Sequence, residues 1–181
     1  MESNVYLIRW YGPFENRKLM KEWEDKRHET FNLYVFQANK KGRKDRYYCG
    51  MAFRQSVGER MRNANHHIHD FENDKSTSLQ IWIGTIVNKK AKKVDVSVCE
   101  NLITSELASI GVGERFLENG TNKKPPLSNV YILNEWWKTN GDELLIKRKN
   151  SVPSAIHEAM AYFSETKTLY GAKKLKEIGV L

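Results

Sequence analysis

Histidines are concentrated in one short run near the middle of the chain, residues 65–70 (NHHIHD). A neutral imidazole can transfer protons near neutral pH, and it is also a common zinc ligand. A strong zinc site needs a second group of ligands at suitable spacing, and the two other histidines, His28 and His157, have no such motif around them. We therefore treat His66 and His67 as candidates for proton transfer, with a structural histidine as the alternative.

Basic and aromatic side chains are interleaved between Lys40 and Arg62. This stretch holds two acidic residues and eight basic ones, which are Lys40, Lys41, Arg43, Lys44, Arg46, Arg54, Arg60 and Arg62. The aromatic residues Tyr47, Tyr48 and Phe53 lie among them. Cations that neutralise phosphates, combined with aromatic rings, are typical of a groove that binds nucleic acid. We expect Lys40, Lys41, Arg43, Lys44 and Arg62 to contact nucleic acid.

The overall composition indicates a basic protein of one domain and gives no sign of a membrane span. Thirty Lys and Arg against 22 Asp and Glu give a net charge of +8, which attracts polyanions. The 181 residues suit one domain with its own core, and no apolar run approaches the roughly 18 residues of a membrane span. The start MESNVYLIRWYG shows no secretion signal, so we expect a soluble cytoplasmic protein. Cys49 and Cys99 lack CxxC spacing and are expected to be small buried residues.

Apolar periodicity predicts the elements that must position these residues. Residues 31–37 and 46–53 are rich in aromatics and bracket a basic, glycine-containing loop, which predicts a β-hairpin. A short helix over 56–65, a third strand over 79–87 and a helix over 97–109 are expected to follow. Towards the ends, the pattern predicts strands over 5–8 and 130–133, and helices over 16–28, 155–163 and 169–178.

Two short motifs lie on the predicted hairpin. Asn32-Leu33-Tyr34 precedes the loop and Tyr48-Cys49-Gly50 follows it, and the two tyrosines are 14 positions apart. In these motifs and in the order of its elements, the chain resembles the GIY-YIG nuclease superfamily. The resemblance implies an α+β fold, with a small antiparallel three-stranded central sheet flanked by helices over residues 32–124. Residues 1–31 and 125–181 would then be N- and C-terminal additions to this core within a single domain.

The resemblance also implies roles for residues that follow the motifs. Arg60, on the helix after the hairpin, corresponds to an arginine that grips the scissile phosphate, with Arg62 as the alternative. His66 or His67 stands where family members carry a histidine near the phosphate. Glu100, shortly before a Leu-Ile pair, corresponds to the ligand of a divalent cation, Mg²⁺ or Mn²⁺. The alternative ligand is Glu106. Asn122, a candidate nucleic-acid contact, stands where the family core often closes.

A second alignment of the first motif is possible at Asn4-Val5-Tyr6. It would separate Tyr6 from Tyr48 by 42 positions and place a helix inside the hairpin. We favour Tyr34, because long loops are uncommon and a hairpin brings both tyrosines to one site.

The function that the resemblance implies is that of a metal-dependent DNA endonuclease of restriction-like or mobile-element type. Water would attack the scissile phosphorus with help from Tyr34 or Tyr48, and one divalent cation held by Glu100 would stabilise the leaving oxygen. The alternative is a nucleic-acid-binding module that keeps the scaffold without catalysis, and a third hypothesis is an RNA-binding or protein-interaction domain. Cutting of both DNA strands is compatible with a dimer or with two successive nicks.

Overall fold

The computed structural model describes residues 3–39, 45–74, 77–108, 125–139, 153 and 155–180. The strands are β1 (Ser3–Phe14), β2 (Leu33–Asn39), β3 (Arg46–Met51), β4 (Ser78–Ile86), β5 (Asn129–Trp137), β6 (Ala159–Phe163) and β7 (Thr168–Gly171). The helices are α1 (Arg17–Glu24), α2 (Val57–Arg60), α3 (Ile68–Asn73), α4 (Lys93–Leu107) and α5 (Ala172–Glu177). None of the helices in these ranges is long and apolar enough to cross a membrane.

All seven strands belong to one sheet in the order β3-β2-β4-β1-β5-β6-β7. The sheet curls into a half-barrel. Neighbouring strands run antiparallel except β1 and β5, which pair in parallel from Ser3 opposite Asn129 to Tyr11 opposite Trp137. The predicted hairpin is confirmed, since β2 and β3 pair antiparallel with Tyr34 opposite Gly50.

The expected small antiparallel three-stranded central sheet is wrong, because the sheet has seven strands and is mixed. Strands β2, β3 and β4 form one side of it, and β1 continues it on the far side of β4. The prediction failed at β1, of which the sequence indicated only residues 5–8. This strand is hydrogen bonded on both sides, and its buried residues alternate with exposed or half-buried ones from Val5 to Trp10. The outward positions include the apolar residues Val5 and Leu7, so the sequence lacks the polar alternation that would mark the strand's length.

The helices predicted over 155–163 and 169–178 are also largely wrong. Residues Ala159–Phe163 form β6 and Thr168–Gly171 form β7, and α5 begins only at Ala172. The run AMAYF of β6 is buried in four of its five positions. A short apolar run of this kind fits a buried strand and a buried helix equally well, so periodicity could not separate the two.

The two faces of the sheet carry separate apolar clusters. On one face, Leu33 and Val35 of β2 pack with Val96, Cys99 and the rest of the buried side of α4. On the other face, alternate strand residues, including Tyr34 and Phe36, pack against side chains of α1, α2 and α3. The β3–β2–β4 side of the sheet is therefore covered by α4 on one face and by α1, α2 and α3 on the other.

Close packing across the sheet depends on a glycine in β4. Gly84 lies opposite Trp10 of β1, and a Cβ atom at Gly84 would lie 2.7 Å from Cε3 of the Trp10 ring. Both Trp10 and Trp82 are almost fully buried there. The ring cannot shift without disturbing the buried hydrogen bond of 2.8 Å that its Nε1 donates to Asn134 Oδ1.

We expect Gly84→Ala to lower the free energy of unfolding by about 1–3 kcal/mol, the usual effect of forcing extra volume into a packed core. Urea denaturation followed by circular dichroism measures the change. Thr85→Ala is the matched control, since the neighbouring side chain is only half-buried. An equal effect of the two substitutions would show that the Trp10 ring does not close the space over Gly84.

Candidate active site

The hairpin places the two motif tyrosines side by side on one face of the sheet. Their rings are stacked with centroids 6.1 Å apart and planes inclined by 23°. Tyr34 is fully buried and Tyr48 is 9% exposed. The Tyr34 ring lies over the backbone of Gly50, where a Cβ atom would come within 2.4 Å of the Tyr34 hydroxyl oxygen. The glycine of the second motif thus makes room for the tyrosine of the first.

His66 is the hydrogen-bond partner of Tyr34. Its Nε2 lies 2.8 Å from the Tyr34 hydroxyl, and the backbone N–H of Ile68 donates to its Nδ1 over 3.1 Å. Since Nδ1 accepts a hydrogen bond, the proton of the neutral imidazole must be on Nε2. Burial, followed by the positive charge of Arg60, lowers the pKa of His66 to about 4, so the ring is neutral at neutral pH. His66 therefore donates to the Tyr34 oxygen.

The hydrogen bond from His66 determines which group can receive the hydroxyl proton of Tyr34. The Tyr34 oxygen accepts from His66, which leaves its own proton for a neighbour. Burial raises the pKa of Tyr34, and its hydrogen bonding with Tyr48 opposes ionisation of Tyr34 further. Burial also raises the pKa of Tyr48, whereas the same hydrogen bond acts in the opposite direction there and favours its ionisation. Of the two tyrosines, Tyr48 is thus the one whose phenolate is stabilised by the other.

Arg60 is the predicted arginine whose charge acts on this cluster. It lowers the pKa of both tyrosines and of His66, and it is half-buried at the end of α2. The local sequence explains the start of this short helix. The Ser56 hydroxyl accepts from the backbone N–H of Glu59, and the Glu59 carboxylate accepts from the backbone N–H of Ser56, which is a complete capping box.

Glu24 fixes α2 against α1, and sequence reasoning missed it. Its carboxylate is buried and accepts hydrogen bonds of 2.8 Å from the backbone N–H groups of Val57 and Gly58, in the first turn of α2. Burial raises the pKa of Glu24, and the two N–H groups oppose that rise. The only signal in the sequence was a glutamate at the end of a polar helix, where glutamates are usually exposed. Glu24 positions the helix that carries Arg60.

The structure separates Arg60 from its alternative, Arg62. Arg62 is exposed and lines a different cavity of about 840 Å³ between α1, α2 and α3. Basic residues Arg17, Lys18 and Lys21 line that cavity together with the acidic residues Glu22, Asp25 and Glu72. Because the lining has mixed charge, it gives little net attraction for a phosphate.

The two candidate metal ligands of α4 also lie in different surroundings. Glu100 is buried on α4, the helix that covers the face of the sheet opposite the tyrosine rings, and its negative charge raises the pKa of Tyr48. Glu106 is buried as well, but its carboxylate is bonded to His157, with Oε1 2.5 Å from Nδ1 of that ring. Glu100 therefore acts electrostatically on Tyr48, and Glu106 is engaged elsewhere on the helix.

A single carboxylate suits a Mg²⁺ site better than a zinc site, which needs several protein ligands. In the described ranges no group of three or more His, Cys, Asp or Glu side chains could hold a metal ion. Mg²⁺ keeps several waters and often takes one protein carboxylate together with substrate oxygens. Glu100 carries one such carboxylate, and its charge acts on Tyr48.

Tyr6, the alternative first-motif tyrosine, lies on the opposite face of the sheet. It belongs to the cluster that packs under α4, and its hydroxyl donates to Asp95 over 3.0 Å. Lys89 also binds Asp95, and its Nζ lies 4.1 Å from the centroid of the Tyr6 ring. Tyr6 thus anchors the first turn of α4 to β1 and does not join Tyr48.

The remaining predicted residues fall into two groups. His67 is exposed, with its ring 5.0 Å from that of Tyr48 and its Nδ1 3.6 Å from Asp70, so it faces solvent beside the tyrosine pair. The other predicted residues lie outside the described ranges, and they are Lys40, Lys41, Arg43, Lys44 and Asn122.

Known proteins offer no match to this chain: no protein-family model, no curated protein and no solved structure matches it. The resemblance to the GIY-YIG superfamily therefore depends on the motif residues of this chain alone.

We expect the free energy of unfolding to fall as the pH is lowered from 6.5 to about 4. In this window the unfolded chain binds a proton at the histidine, with its ordinary pKa of 6.5, whereas the folded chain keeps His66 neutral. Protons then favour the unfolded chain. Urea unfolding at a series of pH values, for wild type and His66→Gln, isolates this contribution. If both proteins lose stability at the same rate with pH, His66 is not buried in its neutral form.

Proposed function

We propose that the chain is a metal-dependent endonuclease that hydrolyses phosphodiester bonds of DNA. The observation that carries the proposal is a stacked tyrosine pair on which a cation and a buried carboxylate act. The charge of Arg60 acts on Tyr34 and Tyr48, and the charge of Glu100 acts on Tyr48. A base, a fixed cation and an acidic oxygen ligand are the groups that phosphodiester hydrolysis requires.

Tyr48 is the residue that best fits the role of general base. An attacking water gives its proton to the Tyr48 oxygen as its own oxygen bonds to phosphorus, and Tyr48 must be ionised to accept that proton. Burial raises the pKa of Tyr48 and the charge of Glu100 adds to that rise, whereas the hydrogen bond with Tyr34 and the charge of Arg60 oppose it. Tyr34 serves to orient and polarise Tyr48, because burial keeps its own proton in place.

Glu100 and Arg60 act on the negative charge of the reaction. When bound at Glu100, Mg²⁺ or Mn²⁺ would supply positive charge near the phosphate oxygens. Neutralisation of the Glu100 charge also removes one of the interactions that raise the pKa of Tyr48. Arg60 is a fixed donor for the oxygens of the pentavalent phosphorus, where charge increases during attack.

We expect Tyr48→Phe, Arg60→Gln and Glu100→Gln each to lower the rate of plasmid cleavage with Mg²⁺ about 100-fold or more, the usual loss when a general base or a charge-stabilising group is removed. Single-turnover cleavage of supercoiled plasmid, resolved on agarose gels, measures the rates. Circular dichroism melting establishes that each variant is folded.

The alternatives for each role provide matched controls on the same elements. The controls change the same residue types away from the tyrosine pair, and they are Tyr6→Phe, Arg62→Gln and Glu106→Gln. Because these positions are distant from the reacting groups, each folded control is expected to cleave within about threefold of wild type. Equal losses in a variant and its control would refute the assignment of that role. A folded wild type that binds DNA but cleaves none with Mg²⁺ or Mn²⁺ would favour a binding module without catalysis.

A further inference from the structure

A second feature lies beside the candidate active site, on the side of Arg60 that faces the end of β3. A cavity of about 460 Å³ opens there between the segment after β3, α2 and the first residue of α4. Its described lining residues are Met51, Phe53, Arg54, Gln55, Arg60 and Lys93. Apart from Arg60, none of these residues has a role in the proposed chemistry.

The charge of this lining has a single sign. Arg54, Arg60 and Lys93 are basic and come from three separate segments, and the described lining contains no carboxylate. The larger cavity around Arg62 differs in this respect, because Glu22, Asp25 and Glu72 lie among its basic residues. Three cations that converge without a neutralising acid repel one another, so an anion between them lowers the electrostatic energy.

Arg54 adopts an unusual backbone conformation at the mouth of the cavity. Its φ of 63° lies in the left-handed region, which residues other than glycine seldom occupy. Lys167 shares this feature, but it lies in the turn that joins β6 to β7, where tight hairpins require positive φ. Arg54 lies in the bend after β3 and not in a hairpin turn. Strain of this kind is characteristic of residues held in place for binding.

Two further lining residues, Met51 and Phe53, are apolar and match the other part of a nucleotide. Met51 and Phe53 are half-buried at the exit of β3, and the Arg54 guanidinium lies 6.0 Å from the centroid of the Phe53 ring. An aromatic ring next to a cation offers a surface for a base or sugar beside a contact for a phosphate.

We propose that this cavity is a phosphate-binding subsite for the DNA strand next to the scissile bond. Arg54 and Lys93 contact the neighbouring backbone phosphate, while Arg60 is shared with the scissile phosphate. The proposal rests on the proposed function, since it takes DNA as the substrate. It places the strand along Tyr48, Arg60 and Lys93. It adds two binding residues that the motifs do not indicate.

The test measures DNA binding without cleavage. A fluorescein-labelled 20-base-pair DNA duplex is titrated with wild type, Arg54→Gln and Lys93→Gln in EDTA, at several salt concentrations. Each variant is expected to raise Kd about tenfold, the loss of one charge-assisted contact, and to reduce the slope of log K against log salt by about 0.9. The matched control is Lys173→Gln on α5, an exposed lysine next to the opposite edge strand of the sheet.

A further variant, Arg54→Gly, separates binding from folding. It removes the cation and permits the left-handed conformation without strain, so its melting temperature should equal or exceed that of wild type while Kd rises as in Arg54→Gln. A lower melting temperature for Arg54→Gly would show that Arg54 serves the fold, and this would overturn the proposal.

The outcomes distinguish this proposal from the proposed function. If wild type cleaves DNA but both glutamine variants bind as Lys173→Gln does, the subsite is refuted and the nuclease proposal stands. If wild type binds the duplex without cleaving it, and both variants bind about tenfold more weakly, the subsite stands and the catalytic proposal fails. If wild type does not bind the duplex, the subsite is refuted.

Discussion

The pairing of β1 on both of its edges is the constraint on which the sheet depends. Antiparallel bonds to β4 join β1 to the strands that carry the tyrosines, and parallel bonds to β5 join it to β6 and β7. Tyr6 on the same strand binds Asp95 and so holds the start of α4, the helix that carries Glu100. Strand β1, which the motifs left outside the core, therefore positions the helix that carries Glu100.

The two tyrosines of the candidate site differ in their exposure to solvent and in their neighbours. Tyr34 has no contact with solvent and is bonded to His66, whereas Tyr48 keeps a small exposed area and is also acted on by the charge of Glu100. Two identical side chains thus acquire different acidities from position alone, as happens with paired acids in other active sites. In the proposed mechanism, Tyr34 orients its neighbour and Tyr48 transfers the proton.

The sequence predicted the local features of the site better than the fold. The hairpin and the strand over 79–87 followed from aromatic and β-branched runs, and these sufficed to bring Tyr34 and Tyr48 together. The sheet could not be predicted in this way, because β1 and β5 pair across more than a hundred residues and leave no local pattern. Glu24 was missed for the same reason, since its partners Val57 and Gly58 lie on another helix.

The contact between Gly50 and the Tyr34 ring has a consequence for how related chains can vary. A side chain at position 50 cannot coexist with a tyrosine at position 34, because the first carbon would already overlap the phenol. The steric overlap requires both a side chain at position 50 and a tyrosine at position 34, so substitutions at the two positions are coupled. In a family of such chains, glycine at 50 should persist as long as the tyrosine does, and larger residues at 50 should accompany smaller ones at 34.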